Sequence, residues 1–95
     1  MGYGLPAFVG AIEGLSDENK KFLIESDGSL MLNLQELQTL KTRNKKNLKI
    51  IILNNEGYCS IRATQKNYFG GNYVASNKES GIEIPNLSQI SKSFG

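Results

Sequence analysis

Histidine is absent from this 95-residue sequence, and cysteine occurs once, at position 59. Without histidine there is no ordinary general base, no Ser/His or Cys/His nucleophile pair, and no usual zinc site. A lone cysteine excludes an internal disulfide and a cysteine-held metal cluster. Nothing basic in the sequence is placed to lower the pKa of Cys59, so it is not read as a nucleophile. Such sparse cysteine usage fits a reducing, cytoplasmic setting. No apolar run approaches the roughly 20 residues that span a bilayer. The apolar, Gly-rich segment from Met1 to Ile12 also lacks the basic start of a signal peptide. Neither sign of charge dominates: the net charge is +2 with both signs interspersed, so neither nucleic acid nor membrane is expected as a partner. The basic run from Lys41 to Lys49 reads as a solvated helix end. Any chemistry here falls to oxygen ligands, backbone groups or a cofactor.

What is present suffices for one small domain, with 39% hydrophobic and 21% charged residues. Pro6 suits the first turn of a helix that Gly14 would end, and residues 16–20 form a polar loop. Lys21 to Glu25 reads as a short strand running into a tight turn, Ser26-Asp27-Gly28-Ser29. Asn33 and Glu36 have the spacing of a capping box for a helix with Leu34, Leu37 and Leu40 on one face, fading near Arg43 and Asn44. Leu48 to Leu53 is a continuous apolar run, the pattern of a parallel strand covered on both faces. Tyr58 to Thr64 reads as a short helix, Asn67 to Pro85 as an ordered loop, and Leu87 to Phe94 as a closing amphipathic helix. This order belongs to the α/β class, as part of a three-layer α/β/α domain with a parallel sheet.

Two strand ends carry the chemistry. One delivers Ser26-Asp27-Gly28-Ser29, the other Asn54-Asn55-Glu56-Gly57. One right-handed crossover would bring both to the carboxyl edge of adjacent parallel strands, where open α/β sheets bind ligands. Asp27 and Asn55 lie 28 positions apart, a fitting length for a strand–helix–strand unit. Mg²⁺ takes about six oxygens in an octahedron, commonly a few from protein and the rest from phosphates and water. The Asp27 carboxylate, the Asn55 amide oxygen and the Gly57 carbonyl would supply the protein's share. Gly28 would let the backbone approach a phosphate closely, with the following amides facing it. Asp-Gly-Ser alone is common in plain turns, and Asn-Asn alone more often ends a strand. Their joint occurrence at crossover spacing is what raises the pair above either reading.

Asp27-Gly28-Ser29, then Asn33 to Leu37 and Thr39, ending in Asn54-Asn55, resembles the signature of thiamine diphosphate-dependent enzymes, which opens with Gly-Asp-Gly and closes with Asn-Asn. The segment Met1 to Ala7 resembles the stretch preceding that signature in acetolactate synthase and its relatives, and the likeness continues through Tyr58, Ile61-Arg62 and the last helix. It implies a thiamine diphosphate-binding fold, with residues 1–95 a partial diphosphate-binding domain of a longer parent. By this resemblance Asp27, Asn55 and Gly57 match the metal ligands, Gly28 and Ser29 the residues at the diphosphate, and Met1 the bulky residue that props the cofactor into its bent form. Tyr58 and Tyr68 are read either as touching cofactor or substrate or as core aromatics, with Tyr58 assigned to the cofactor. The implied parent uses thiamine diphosphate and Mg²⁺ to decarboxylate a 2-keto acid, commonly pyruvate, and passes the acyl unit to a second carbonyl. Whether it also binds FAD is left open.

The parent would be a homo-oligomer, a dimer or tetramer, because the family builds its active site between subunits and draws its activating glutamate from a separate domain. No catalytic residue is therefore assigned here: Glu36 reads as a cap, and Glu13, Glu25 and Glu56 as surface charges. Two positions depart from the family pattern. Ser26 stands at the signature's first glycine, where a need for glycine geometry would strain the turn. Thr64 stands where acetolactate synthases carry a tryptophan facing the substrate, so a roomier pocket and another acceptor are implied. Two alternatives follow, a simple 2-keto acid decarboxylase and a non-catalytic remnant of the fold. A chain of this length would also leave the flanks of Leu48 to Leu53 uncovered, and in isolation it is expected to be inactive.

Overall fold

In the computed structural model, which describes residues 1–95, two strands pair in parallel: β1, Lys21–Ser26, and β2, Leu48–Leu53. Leu23 lies opposite Ile50, Ile24 opposite Ile51 and Ser26 opposite Leu53. Helix α1, Gly4–Ile12, precedes β1; α2, Asp27–Met31, and α3, Glu36–Arg43, form the crossover to β2. Beyond β2 come α4, Cys59–Tyr68, a single 3-10 turn, Lys78–Ser80, and α5, Leu87–Phe94.

Strand side chains alternate between faces. Leu23, Leu48, Ile50 and Ile52 pack on one side against a core of Leu5 and Ile12 from α1, Leu30 from α2 and Leu40 from α3, with Leu87 of α5 at its margin. On the other side Phe22, Ile24, Ile51 and Leu53 are exposed. Helices therefore cover one face of the sheet only, and the other flank of Leu48 to Leu53 is bare, as expected of a chain of this length; the cover on both faces that the apolar run suits is not supplied by these residues.

Lys21, which opens β1, is 3% exposed. Its Nζ donates to the carbonyl oxygens of Ser16, Asn19 and Lys46, at 2.7, 2.9 and 3.2 Å. Three acceptors for three donors are what a buried ammonium needs. Lys21 thereby ties the loop before β1 to the loop before β2.

Other local expectations are corrected. Residues 26–29 are not a free tight turn: Ser26 is extended (φ −88°, ψ 155°), and Asp27 begins a short helix at once. Asn33 and Glu36 form no capping box, since α3 starts from Gln35 with no side-chain cap and the Asn33 amide is engaged elsewhere. The helix expected over 58–64 runs on to Tyr68. Glu25 is half-buried rather than a surface charge, and its carboxylate fills the space that a side chain at Gly4 would take.

Candidate functional site

Asp27 sits where β1 meets α2 and is wholly buried. Its Oδ1 accepts the Gly28 N–H at 2.7 Å, and its Oδ2 accepts the N–H groups of Asn55 and Gly57, each at 3.1 Å. The two strand ends singled out from sequence thus meet at one carboxylate. An ionised carboxylate has about four acceptor positions; three are taken by amides here, and no lysine or arginine pairs with it. The chain has no cluster of three His, Cys, Asp or Glu side chains that could hold a metal. A cation at this corner would rely on mixed oxygens. The Asn55 side-chain amide is exposed and makes no internal hydrogen bond, and the Gly57 carbonyl accepts none. Both oxygens are uncommitted, on the two residues whose N–H groups meet Asp27 Oδ2, and this donor set is of the kind that Mg²⁺ takes.

Gly28 has a different cause from the one its sequence context implies. A Cβ there would lie 2.6 and 2.8 Å from ring carbons of Tyr58, so glycine leaves room for that ring. Tyr58 accordingly packs on the first turn of α2. Ser29 Oγ accepts the N–H of Gly2 at 2.7 Å, and the Asn33 Nδ2 donates to the Gly2 carbonyl at 2.6 Å. Gly2, at φ +77° and buried, is clamped from both sides, which fixes the backbone from which the exposed Met1 projects. Asn33 is thus a site-building residue that sequence reading noticed for the wrong reason.

The second strand end is held in an unusual form. Glu56 lies in the left-handed region at φ +60°, with its N–H on Asn54 Oδ1 at 3.2 Å. Gly57 follows at φ +123°, where a Cβ would stand 2.8 Å from the Ser76 carbonyl oxygen. That oxygen accepts the Tyr58 N–H at 3.1 Å. Ser76 is itself fully buried; its hydroxyl donates to Gln65 Oε1 at 2.7 Å, and its N–H to Ser80 Oγ at 3.0 Å. Asn77 and Ser80 form a reciprocal capping box on the 3-10 turn. Arg62 reaches over this junction from α4. Ser76 carries no sequence signal that could have marked it.

Thr64 is not brought to the Asp27 corner by any hydrogen bond: it is exposed on α4, and its hydroxyl donates to the Ser60 carbonyl at 3.1 Å. Ser26 stands in ordinary extended backbone, so serine at that position brings no backbone strain. Two clefts lie off the corner. One, of about 700 Å³, runs between α3, the covered sheet face and α5; the other, of about 530 Å³, reaches from Asn54 and Glu56 to Ile84 and Leu87.

Residues 1–95 match the family described as thiamine pyrophosphate enzyme, C-terminal TPP binding domain. Over its whole length the chain is 38% identical to the acetolactate synthase isozyme 1 large subunit of Escherichia coli (strain K12), covering 16% of that protein. It is 35% identical to the acetolactate synthase large subunit of Porphyra purpurea and 32% identical to acetolactate synthase 2, chloroplastic, of Nicotiana tabacum, covering 15% of each. The chain therefore spans about one sixth of the length of these curated relatives.

Proposed function

The chain belongs to the family of thiamine pyrophosphate enzymes, within their C-terminal TPP-binding domain, and from that premise we propose that its Asp27 corner holds the diphosphate end of the cofactor together with Mg²⁺. The observation that carries this reading is the buried Asp27 carboxylate, with three amide donors, no cationic partner and an uncommitted oxygen on each of two residues that donate to it. Asp27, Asn55 and Gly57 would ligate the metal. Gly28 and Ser29 would meet the diphosphate, and Met1 and Tyr58 the rest of the cofactor. Thiamine diphosphate, when bound, supplies the electron sink that lets a 2-keto acid lose carbon dioxide.

This chain's own residues bind and orient. The amides of Gly28, Asn55 and Gly57 hold the carboxylate fixed, so the metal meets a ligand already aimed. The Ser29 and Asn33 clamp on Gly2 fixes the backbone from which Met1 projects. Solvent does not touch Asp27, and the Tyr58 ring lies over the neighbouring Gly28, so entry of the metal requires that ring to yield.

The whole protein, on this reading, is an acetolactate synthase-like enzyme of the cytoplasm. It decarboxylates a 2-keto acid, pyruvate first among candidates, and transfers the acyl unit to a second carbonyl, working as a homo-oligomer. Residues 1–95 are its diphosphate-binding part, and Thr64 faces the substrate. The unstrained backbone at Ser26 removes one objection to cofactor binding and so weighs against a non-catalytic remnant.

Titrating thiamine diphosphate into the intact protein, with and without Mg²⁺, tests the corner. Asp27→Ala should lower Mg²⁺-dependent affinity by about 100-fold or more, from loss of a charged ligand and its pre-aimed geometry. Unchanged Mg²⁺-dependent binding in that variant would remove Asp27 from the metal site. Product analysis with pyruvate then separates carboligation, which gives acetolactate, from simple decarboxylation, which gives acetaldehyde.

A further inference from the structure

We propose that Arg62 is a positioning residue for the metal, a staple that fixes the Asn54–Gly57 turn so that its ligand oxygens are aimed before any cation arrives. The inference rests on the reading of the Asp27 corner given above. Arg62 Nη1 donates to the Ser76 carbonyl at 2.7 Å and Nη2 to the Asn55 carbonyl at 2.8 Å, with a longer contact from Nη1 to the Glu56 carbonyl at 3.4 Å. It forms no ion pair. A guanidinium offers donors in a rigid planar fork. Here the fork grips two segments of backbone, residues 55–56 and residue 76.

The grip explains the geometry of the turn. The Asn55 and Glu56 carbonyls are drawn toward Arg62, while the N–H groups of Asn55 and Gly57 are drawn to Asp27 Oδ2. The Asn55 residue is therefore held at both ends of its backbone. Glu56 sits between them at φ +60°, a conformation a glutamate keeps only when its surroundings enforce it. Gly57 leaves the fork its room, since a Cβ there would lie 3.3 Å from Nη1. With the peptides pinned, the free Gly57 carbonyl leaves the turn in a fixed direction, and the Asn55 side chain starts from a fixed backbone.

Charge and position oppose each other, and that makes the proposal testable by sign. A unit positive charge beside a cation site weakens cation binding by repulsion. If Arg62 acted only through its charge, its removal would tighten Mg²⁺ binding. If it positions the ligands, its removal loosens Mg²⁺ binding despite the relief.

The experiment is a Mg²⁺ titration of thiamine diphosphate binding by calorimetry in the intact protein, alongside metal-free thermal melts. Arg62→Gln should raise the half-saturating Mg²⁺ concentration about ten-fold, and Arg62→Lys, which keeps the charge and loses the fork, should give most of that rise. Gln65→Ala supplies the control for general loosening, because it cuts the side chain's hydrogen bonds with Val74 and Ser76 and none with residues 54–57. It should lower the melting temperature at least as much as Arg62→Gln while shifting the Mg²⁺ midpoint less than two-fold. An unchanged or lowered midpoint in Arg62→Gln overturns the proposal. So does an equal midpoint shift in Gln65→Ala, which would make Arg62 merely structural. Asp27→Ala separates the two readings: if it abolishes the Mg²⁺ response while Arg62→Gln leaves it intact, only the positioning role fails. If Asp27→Ala responds to Mg²⁺ as the unsubstituted protein does, the metal corner itself fails.

Discussion

Asp27 and Gly28, neighbours in sequence, are fixed by opposite needs: one by what it must bind, the other by what must fit over it. Replacing Asp27 by Ala leaves the N–H groups of Gly28, Asn55 and Gly57 without their acceptor inside the protein, and should cost about 3 kcal/mol, read as a lowered denaturant midpoint. Gly28→Ala drives a methyl into the Tyr58 ring and should cost about 1–3 kcal/mol. Because the obstacle is a side chain, Gly28→Ala combined with Tyr58→Ala should lose clearly less than the two single changes added together. Additive losses would show that the ring is not what excludes a side chain at Gly28. At this scale the sequence was legible where one residue type announces its chemistry. Asp27, Asn55 and Gly57 stood out at strand ends, and they converge. Asn33 was misread because Asn-x-x-Glu has the spacing of a capping box, whereas what decides its role is a partner 31 positions away at Gly2. Ser76 was invisible, since a buried serine in a polar stretch differs in no way from an exposed one until the chain folds.

Among the elements, the strands and the closing helix were readable because periodicity and caps are local. Asn86 caps α5 by accepting the Gln89 N–H at 3.0 Å, so Asn86→Ala should cost about 1 kcal/mol by denaturant titration. Asn44 closes α3 in the left-handed region at φ 50°, with its N–H shared between the carbonyls of Leu40 and Lys41. Asn44→Val should therefore cost about 1–2 kcal/mol, while Asn44→Gly should be close to neutral. A melt in which valine and glycine behave alike at position 44 would contradict that account. The element that sequence reading missed, α2, is too short to show a period. Its formation follows from Asp27 accepting amides at its own N-terminus, a tertiary arrangement that needs the second strand end in place.

For the molecule as a whole, the dominant fact is a sheet dressed on one side. The Cα radius of gyration is 15.5 Å, against about 12 Å for a compact domain of this size. Phe22, Ile24, Ile51 and Leu53 form an apolar stripe across both strands, with Ile24 65% and Leu53 57% exposed. The chain should accordingly enhance the fluorescence of an apolar-surface dye. Ile24→Thr with Ile51→Thr should cut that signal by about half or more while leaving the circular dichroism unchanged, because neither side chain touches the buried core. A signal that survives both changes would place the dye elsewhere, the cleft between α3 and α5 being the next candidate. The run Leu48 to Leu53 reads as apolar on both faces because composition records what a strand is suited to touch, and the folded chain shows which of those contacts its own residues supply.

Lys21 gives the fold a built-in gauge. Its amine is closed to water and donates to three carbonyls of the two loops that lead into the strands. A reagent that acylates free amines will modify the exposed Lys20 next to it and spare Lys21 for as long as those loops stay joined. The ratio of label at these adjacent positions, read on a single peptide by mass spectrometry, then counts the molecules in which the strand entrances have come apart. Once acylated, Lys21 would lose its charge and two of the three donors that held the loops, so each opening caught by the reagent becomes permanent.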